Sequence, residues 1–342
     1  SYDGSPARWV AEGGAVAQQG FASAEPYTYQ YEIDEWGKPV AFELIHDAGF
    51  EIYSQALAIR TGELEELRPC LERFVPVVQQ AVVDYVQSPE RANAIIVDAV
   101  EKYQDFWIYS AGLAEYSIGA QIELGLVGNG PDDVVGNMEL DRVQGVIDQM
   151  AAAGLDIPEG LQASDITTNE FIDDSIGLPE MASAEEEAAA EEEEAPAMEE
   201  MVSLADVCPS PIVIQTDWFP EAEHGALYEM VGDDYVVDTD NKVVRGTLVA
   251  SGEDTGVEIE VRTGGPAIGF QQPIQQMYVE QDITLGYVST NEAVFGADDT
   301  PTLSVIAPLE KNPQIIMWDP ETYPDVETIA DLGQTEAIIQ VF

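Results

Sequence analysis

Basic residues are scarce in this sequence. Of its 342 residues, 12 are Lys or Arg and 66 are Asp or Glu, which gives a formal net charge of −54. A chain this acidic repels the phosphates of nucleic acids, so no nucleic-acid partner is expected. We interpret the acidity as a solubility surface, suited to salty surroundings in which screening reduces self-repulsion. The alternative interpretation is a specific cationic partner.

Cysteine and histidine are equally rare. The sequence contains only Cys70, Cys208, His46 and His224. No CxxC pattern and no Cys/His cluster occurs, which argues against a structural zinc site, and we expect neither a metal nor a cofactor. On composition alone, the two cysteines form either one disulfide, as in exported proteins, or two buried thiols.

Long apolar runs and common catalytic motifs are also missing. No run of about 18 apolar residues occurs, so no membrane span is predicted, and no signal peptide is evident. The chain starts at Ser1 rather than Met, and we expect an N-terminus that is cut, engineered or incomplete. The sequence contains no P-loop, no dinucleotide-binding glycine pattern and no GxSxG motif.

An acidic stretch is present near the middle of the chain. Residues 181–200 read MASAEEEAAAEEEEAPAMEE, with nine Glu and no basic or aromatic residue. Such a segment cannot bury enough apolar surface to offset the entropy of ordering it. We therefore predict that residues 181–202 are a disordered, protease-sensitive tether. Tethers of this type usually lie near a terminus, so the central position requires an explanation.

Strand and helix patterns alternate on both sides of this stretch. PIVIQTDW (211–218) has the apolar, β-branched composition of a buried strand, and the residues that follow, 221–232, have a helical pattern. Further helices are predicted at 63–87, 88–101 and 139–153. Short links between strands and helices predict an α/β fold with mixed, mostly parallel sheets and helices on both faces.

Four segments carry a resemblance to one protein family. They are IQTDWFPEAEHGALYE (214–229), MWDPETYPDVETIADLG (317–333), GFASAEPYTYQYE (20–32) and SPERANAIIVDAV (88–100). Together they resemble solute-binding proteins of ABC importers, in the branch for thiamine pyrimidine precursors and riboflavin, related to the nitrate, sulfonate and taurine binders. The Asp-Trp-x-Pro feature of that family matches 217–220, and the His and Gly of its His-x-Gly feature correspond to His224 and Gly225, which are adjacent here. The polar Asn and Thr positions of the pyrimidine binders are Glu221, Ala222, Glu223 and Ala226 here.

The resemblance implies a two-lobe periplasmic-binding-protein type II fold in circularly permuted order. In the family, the segment similar to 203–342 comes first, the segment similar to 1–180 follows, and an acidic tether precedes the first strand. Permutation would join the usual C-terminus to the usual tether and would explain its central position. The implied lobe 1 is 51–180 plus 203–306, and lobe 2 is 307–342 plus 1–50. A link of about twenty residues between Phe342 and Ser1 is expected to be missing.

The function implied by the resemblance is ligand capture without catalysis. It implies an extracytoplasmic, lipid-tethered, monomeric subunit whose partners are a small molecule and a membrane permease. An extracytoplasmic location favours a disulfide between Cys70 and Cys208. The alternatives are an enzyme on the same fold, similar to the pyrimidine synthase or the desulfinases, and an acidic structural surface protein. The Cys-rich motif of the synthase has no counterpart here.

The resemblance implies a ligand site in the crevice between the lobes. Aromatic faces would stack a flat ligand there, and polar groups would orient it. The expected first-lobe residues are Trp218, Phe219, His224, Gly264, Gly265, Phe270 and Gln271. The expected second-lobe residues are Glu25, Pro26 and Tyr27, with Tyr2, Asp3 and Trp318 nearby and Asp47 at the crossover. Carboxylates at Glu25, Asp47, Glu221 and Glu223 favour a heteroaromatic or otherwise nitrogen-rich ligand over a simple oxyanion. Each residue also has a purely structural alternative, such as ring packing, capping or a solvated surface.

Overall fold

The computed structural model of the protein describes residues 5–105, 107–179 and 202–341. The predicted tether, apart from Val202, lies outside the described residues. Tyr2 and Asp3, which the sequence suggested for the second lobe, also lie outside them.

Eleven strands are present among the described residues, in two sheets. They are β1 Val16–Phe21, β2 Ala41–Leu44, β3 Ala56–Arg60, β4 Ile212–Gln215, β5 Val236–Asp238, β6 Val243–Ala250, β7 Glu253–Arg262, β8 Leu285–Val288, β9 Thr302–Ile306, β10 Gln314–Trp318 and β11 Ile338–Gln340. One sheet has four strands in the order β11-β1-β10-β2, and the other has seven in the order β5-β6-β7-β4-β8-β3-β9. Each sheet draws its strands from the two ranges assigned above to one lobe; the lobe boundaries themselves remain a prediction.

The described helices are α1 Ala7–Ala11, α2 Glu25–Tyr27, α3 Leu64–Gln87, α4 Glu90–Tyr103, α5 Ala111–Glu123, α6 Leu140–Ala152, α7 Ala163–Ile166, α8 Gly225–Glu229, α9 Pro273–Val279, α10 Thr290–Gly296 and α11 Ile329–Leu332. Of these, α3, α4, α5 and α6 have 13 residues or more, and the others have seven or fewer. A π-helical turn, Thr28–Glu32, continues from α2, and four 3₁₀ turns are Thr61–Glu63, Gly130–Asp132, Ala222–His224 and Gly265–Ile268.

The α/β class with mixed sheets is confirmed, but the predicted predominance of parallel pairing is wrong. Parallel pairs join β4 to β7, β4 to β8 and β1 to β11, whereas the remaining strand pairs are antiparallel. Two of the antiparallel pairs have a local cause, because β5, β6 and β7 follow one another through tight turns, which join antiparallel strands.

Both faces of the seven-stranded sheet are covered. Leu57 and Ile59 of β3 belong to an apolar cluster that contains buried residues of α3, α4 and α8. Ala56 and Ala58 belong to a second cluster, which contains residues of α6, α7, α9 and α10. Successive strand residues point to opposite faces, so this alternation shows that helices cover the sheet on both sides.

Arg142 of α6 binds both segments that connect the two sheets in the described chain. These segments are 45–55, between β2 and β3, and 307–313, between β9 and β10. The guanidinium donates to the carbonyl oxygens of Glu51 (2.7 Å) and Ile52 (3.2 Å) and to the carboxylate of Glu310 (2.9 Å). It also lies 3.7 Å from the centre of the Tyr53 ring. One buried cation therefore fixes both connections relative to α6.

The predicted disulfide between Cys70 and Cys208 is present. Cys70 lies in α3, and Cys208 lies shortly before β4, with the two Cα atoms 4.6 Å apart. The bond attaches the segment that precedes β4 to the long helix of the larger sheet.

Candidate functional site

A cavity of about 180 Å³ lies where the two sheets meet. Its lining residues are Phe21, Phe50, Ile52, Ser54, Gln55, Asp217, Tyr287, Ser289, Asn291, Glu292 and Gln314. Cavities that hold drug-sized ligands are usually about 300–1,000 Å³. The volume therefore suits a smaller solute.

The strand topology explains why these residues converge. Strands β4 and β8 are parallel neighbours, so the residues that follow them, including Asp217 and Ser289, leave the same edge of the sheet. Strand β3 is antiparallel to β8, so the residues that precede β3 reach that edge too. The four-stranded sheet contributes one cross-strand pair, Phe21 opposite Gln314. Such edges at the carboxyl ends of strands are common ligand sites in α/β proteins.

Asp217 is held by two side chains at the wall of the cavity. The Nε2 atom of His224 lies 2.8 Å from Asp217 Oδ1, and Gln55 Nε2 donates to Asp217 Oδ2 over 3.0 Å. His224 is completely buried, and its ring centre is 5.3 Å from that of Tyr287. These contacts fix the orientation of the carboxylate.

Several buried polar atoms of the cavity wall have no hydrogen-bond partner among the described residues. They are Ser54 Oγ, Gln55 Oε1, Tyr287 OH and Asn291 Oδ1. The Nδ1 atom of the adjacent His224 is also unpartnered within this part of the chain. Buried polar groups in native proteins nearly always have partners, because each one without a partner costs about 1–3 kcal/mol. These atoms leave unused hydrogen-bonding capacity at the cavity wall.

Buried carboxyl groups surround this wall. Burial is the main cause that raises the pKa of Glu292, on the cavity, to about 7, and the charge of Asp217 is a smaller cause. Burial also raises the pKa of Glu25 to about 7, with the charge of Glu223 as a smaller cause. It raises the pKa values of Glu221 and Glu223 too, and the charge of Asp217 is a smaller cause for both. The site therefore concentrates acidic groups whose ionised forms a nearby positive charge would stabilise.

The described residues contain no group of three or more His, Cys, Asp or Glu side chains arranged to hold a metal ion. Within the same residues, no helix is both long enough and apolar enough to cross a membrane.

The aromatic residues predicted for the first-lobe wall pack mainly against one another. Phe219 is 2% exposed and stacks on Trp107, with ring centres 5.5 Å apart. Trp218 lies between Trp107 (6.3 Å) and the exposed Phe270 (6.1 Å). None of these rings is among the residues that line the cavity. The predicted role of Phe219 as a ligand platform is corrected, because its faces are covered by protein.

The other predicted residues divide between the surroundings of the site and unrelated positions. Glu25 and His224 belong to the buried polar surroundings. Trp318 was predicted to line the ligand site, but it is 1% exposed in an apolar cluster of the four-stranded sheet. Asp47 was also predicted to contact the ligand, but it is exposed and pairs with Lys311. Both predicted ligand contacts are corrected. Tyr27 packs on the rings of Tyr31 and Tyr116. Gly265 lies under the Trp218 ring. Gln271 is exposed and accepts a hydrogen bond from the side chain of Gln276.

None of the residues that line the cavity was among the ligand residues predicted from the sequence. The missed residues include Gln55, Tyr287, Ser289, Asn291 and Glu292. A usable signal was present in STNE (289–292), because Ser followed three residues later by Glu is a capping box. The structure contains this capping box at the start of α10, directly after β8. A helix start directly after a central strand marks the edge where ligands bind.

Comparison of the chain with protein-family models, with curated proteins and with solved structures found no match.

Proposed function

We propose that the chain is the solute-binding subunit of an ABC importer, which acts outside the cytoplasm and captures a small polar ligand between its two sheets. The observation that carries the proposal is the cavity at their junction, which is lined from both sheets and contains unpartnered buried polar atoms. A solute bound there contacts both sheets and favours one relative position of them. A membrane permease would recognise that ligand-bound form.

We further infer a two-lobe periplasmic-binding-protein type II fold in circularly permuted order. In support, β11 near the end of the chain pairs in parallel with β1 near its start, with Val16 opposite Ile338. The hydroxyl of Tyr323 donates to the carbonyl oxygen of Ala15 over 2.6 Å, close to the same pair of strands. A permuted two-lobe chain requires its two end regions to be neighbours inside one lobe.

The two segments that connect the sheets have the arrangement expected of a hinge. Both connections are bound by Arg142, and four residues of the first one also line the cavity, namely Phe50, Ile52, Ser54 and Gln55. A change in the angle between the lobes would therefore move residues that contact the ligand, because the same backbone segment connects the sheets and lines the cavity.

The proposal assigns no catalytic step to the protein. The alternative, an enzyme similar to the pyrimidine synthase, would be expected to carry that enzyme's Cys-rich motif. The sequence has only Cys70 and Cys208, and these are joined in a disulfide.

Native mass spectrometry of the purified full chain, followed by thermal denaturation with a broad set of small metabolites, tests the function. We expect a co-purified small molecule, or a melting temperature that rises with ligand concentration because the ligand binds only the folded state. A Ser54→Leu variant, which adds bulk to the cavity wall, should lose this response. If the purified protein carries no small molecule and no metabolite raises the melting temperature, the proposal is wrong.

A further inference from the structure

The acceptor atoms of the cavity indicate the chemical class of the ligand, an inference that rests on the proposed function. We propose that the ligand is a small organic cation whose ammonium or amidinium group donates hydrogen bonds to Asp217, Glu292 and the side-chain carbonyl of Gln55. All three residues line the cavity.

The hydrogen bonds to Asp217 determine which way the Gln55 side-chain amide is oriented. Its Nε2 atom faces both carboxylate oxygens of Asp217, at 3.0 and 3.3 Å, and an ionised carboxylate can only accept hydrogen bonds. The Oε1 atom must therefore point the other way, where it has no partner among the described residues. Gln55 is 3% exposed, so this acceptor is nearly sealed from bulk water. An N–H donor on the ligand would satisfy it.

The charges around the cavity favour a cation. The lining includes the acids Asp217 and Glu292 and no basic residue within the described chain. Behind this wall lie Glu221 and Glu223, beside the 3₁₀ turn before α8, and Glu25, in α2. The neighbouring basic group is His224, and its Nε2 is already bonded to Asp217. A cation would stabilise the ionised forms of these carboxyl groups, whereas an anion would raise their pKa values further and would find no basic partner among the described lining residues.

The apolar part of the lining limits the shape of the cation. Phe21 and Phe50 line the cavity together with the ring of Tyr287. Aromatic faces attract cations and also pack against flat or short aliphatic groups. With a volume of about 180 Å³, the cavity suits a ligand with one small ring or a short chain beside the charged group.

Three probes of the same shape and different charge test the inference by calorimetry on the full chain. They are benzamidine, which is a cation, benzamide, which is neutral, and benzoate, which is an anion. We expect benzamidine to bind at least tenfold more tightly than the other two. At pH 7 its binding should also release protons, because burial raises the pKa of Glu292 to about 7 and a bound cation lowers it again. Measurement in buffers of different ionisation enthalpy detects this release.

Glu292→Gln keeps the shape of the side chain and removes the charge. We expect it to weaken benzamidine binding at least tenfold and to reduce the proton release. The matched control is Asp331→Asn, since Asp331 holds the same third position in the capping box of α11 but is exposed. This control should leave both quantities unchanged.

The outcomes separate the ligand class from the function. Equal binding of all three probes, or preference for benzamide or benzoate, would overturn the inference of a cation and leave solute capture standing. Unchanged benzamidine binding and proton release in Glu292→Gln would also overturn it. If no probe binds and no metabolite stabilises the protein, both the inference and the proposed function fail.

Discussion

Ser23 and Glu223, 200 positions apart in the chain, are joined by a hydrogen bond from the serine hydroxyl to the glutamate carboxylate. Ser23 follows β1 of the four-stranded sheet, and Glu223 precedes α8 beside the seven-stranded sheet. Both side chains are buried. The Ser117 hydroxyl donates to the carbonyl oxygen of Ser23 over 2.6 Å and holds the same turn in place. The contact therefore ties the two sheets together close to the cavity.

Replacing Ser23 should destabilise the protein. Ser23→Ala leaves a buried carboxyl group without its donor, and we expect a loss of about 1–3 kcal/mol in the free energy of unfolding. Urea denaturation measures the loss. The control is Ser251→Ala, because Ser251 also donates to a carboxylate, that of Asp84, but on the surface. It should change stability by less than about 0.5 kcal/mol. Equal effects of the two variants would contradict a structural role for the bond between the sheets.

The stability of the protein should fall as the pH rises towards 7. Burial is the main cause that raises the pKa of Glu25 from 4.5 to about 7, with the charge of Glu223 as a smaller cause. The folded state therefore holds this proton more tightly than the unfolded chain. The resulting stability is complete below about pH 4.5 and is lost as the pH rises through about 7, at most about 3 kcal/mol for this group.

A neutral variant isolates that contribution. Glu25→Gln imitates the protonated carboxyl and keeps an acceptor for the backbone N–H of Phe21. In urea denaturation at a series of pH values, this variant should show a smaller decline than the wild type between about pH 5 and pH 7. The exposed Glu66→Gln should retain the wild-type decline. Parallel curves for wild type and Glu25→Gln would disprove the assignment.

Removing the disulfide should lower stability by several kcal/mol. Cys70 and Cys208 close a loop with a sequence separation of 138, and loss of such a crosslink typically costs about 2–5 kcal/mol because the unfolded chain gains freedom. We expect the Cys70→Ala, Cys208→Ala double variant to melt at the same lower temperature as wild-type protein treated with a reducing agent. The reducing agent should have no effect on the double variant. If it leaves the wild-type melting temperature unchanged, the bond does not stabilise the fold.

The sequence predicted strands and helices well where the hydrophobic pattern was strong. The run PIVIQTDW predicted β4, and the predicted helix at 63–87 corresponds to α3 with the turn before it. Helix α5, Ala111–Glu123, was missed because its glycines and Ser117 weaken the helical pattern. Strand β3 begins only at Ala56. Gln55 has a φ of 54°, a left-handed conformation that interrupts an extended chain.

No predicted ligand residue lines the cavity, although Trp218 and Phe219 directly follow Asp217, which does. The end of β4 does reach the cavity, but through Asp217 rather than through Trp218 or Phe219. The sequence cannot show that Trp107 covers Phe219, because that contact joins segments far apart in the chain. Tyr287 was overlooked because a tyrosine within a strand pattern is usually interpreted as a residue of the apolar core. Its unpartnered hydroxyl becomes visible only when every neighbour is known.

Loss of the Tyr287 hydroxyl should stabilise the ligand-free protein and weaken ligand binding. The hydroxyl is buried at the cavity wall without a partner in the described chain, and Tyr287 as a whole is 1% exposed. Tyr287→Phe removes the desolvated polar group and keeps the ring, so we expect the free energy of unfolding to rise by up to about 1 kcal/mol. Benzamidine, the cationic probe, should bind several-fold more weakly if the hydroxyl contacts the ligand. Thermal denaturation and calorimetry on the same preparation measure the two effects.

Tyr109→Phe is the matched comparison, because Tyr109 is equally buried but its hydroxyl has partners. That hydroxyl accepts from the backbone N–H of Ala222 over 2.9 Å and lies 3.1 Å from the hydroxyl of Ser117. Its removal leaves a buried N–H without an acceptor, and we expect a loss of about 1–3 kcal/mol. The same chemical change should therefore have opposite signs at the two positions. If Tyr287→Phe destabilises the ligand-free protein as much as Tyr109→Phe does, the Tyr287 hydroxyl has a partner within the fold and is not reserved for a ligand.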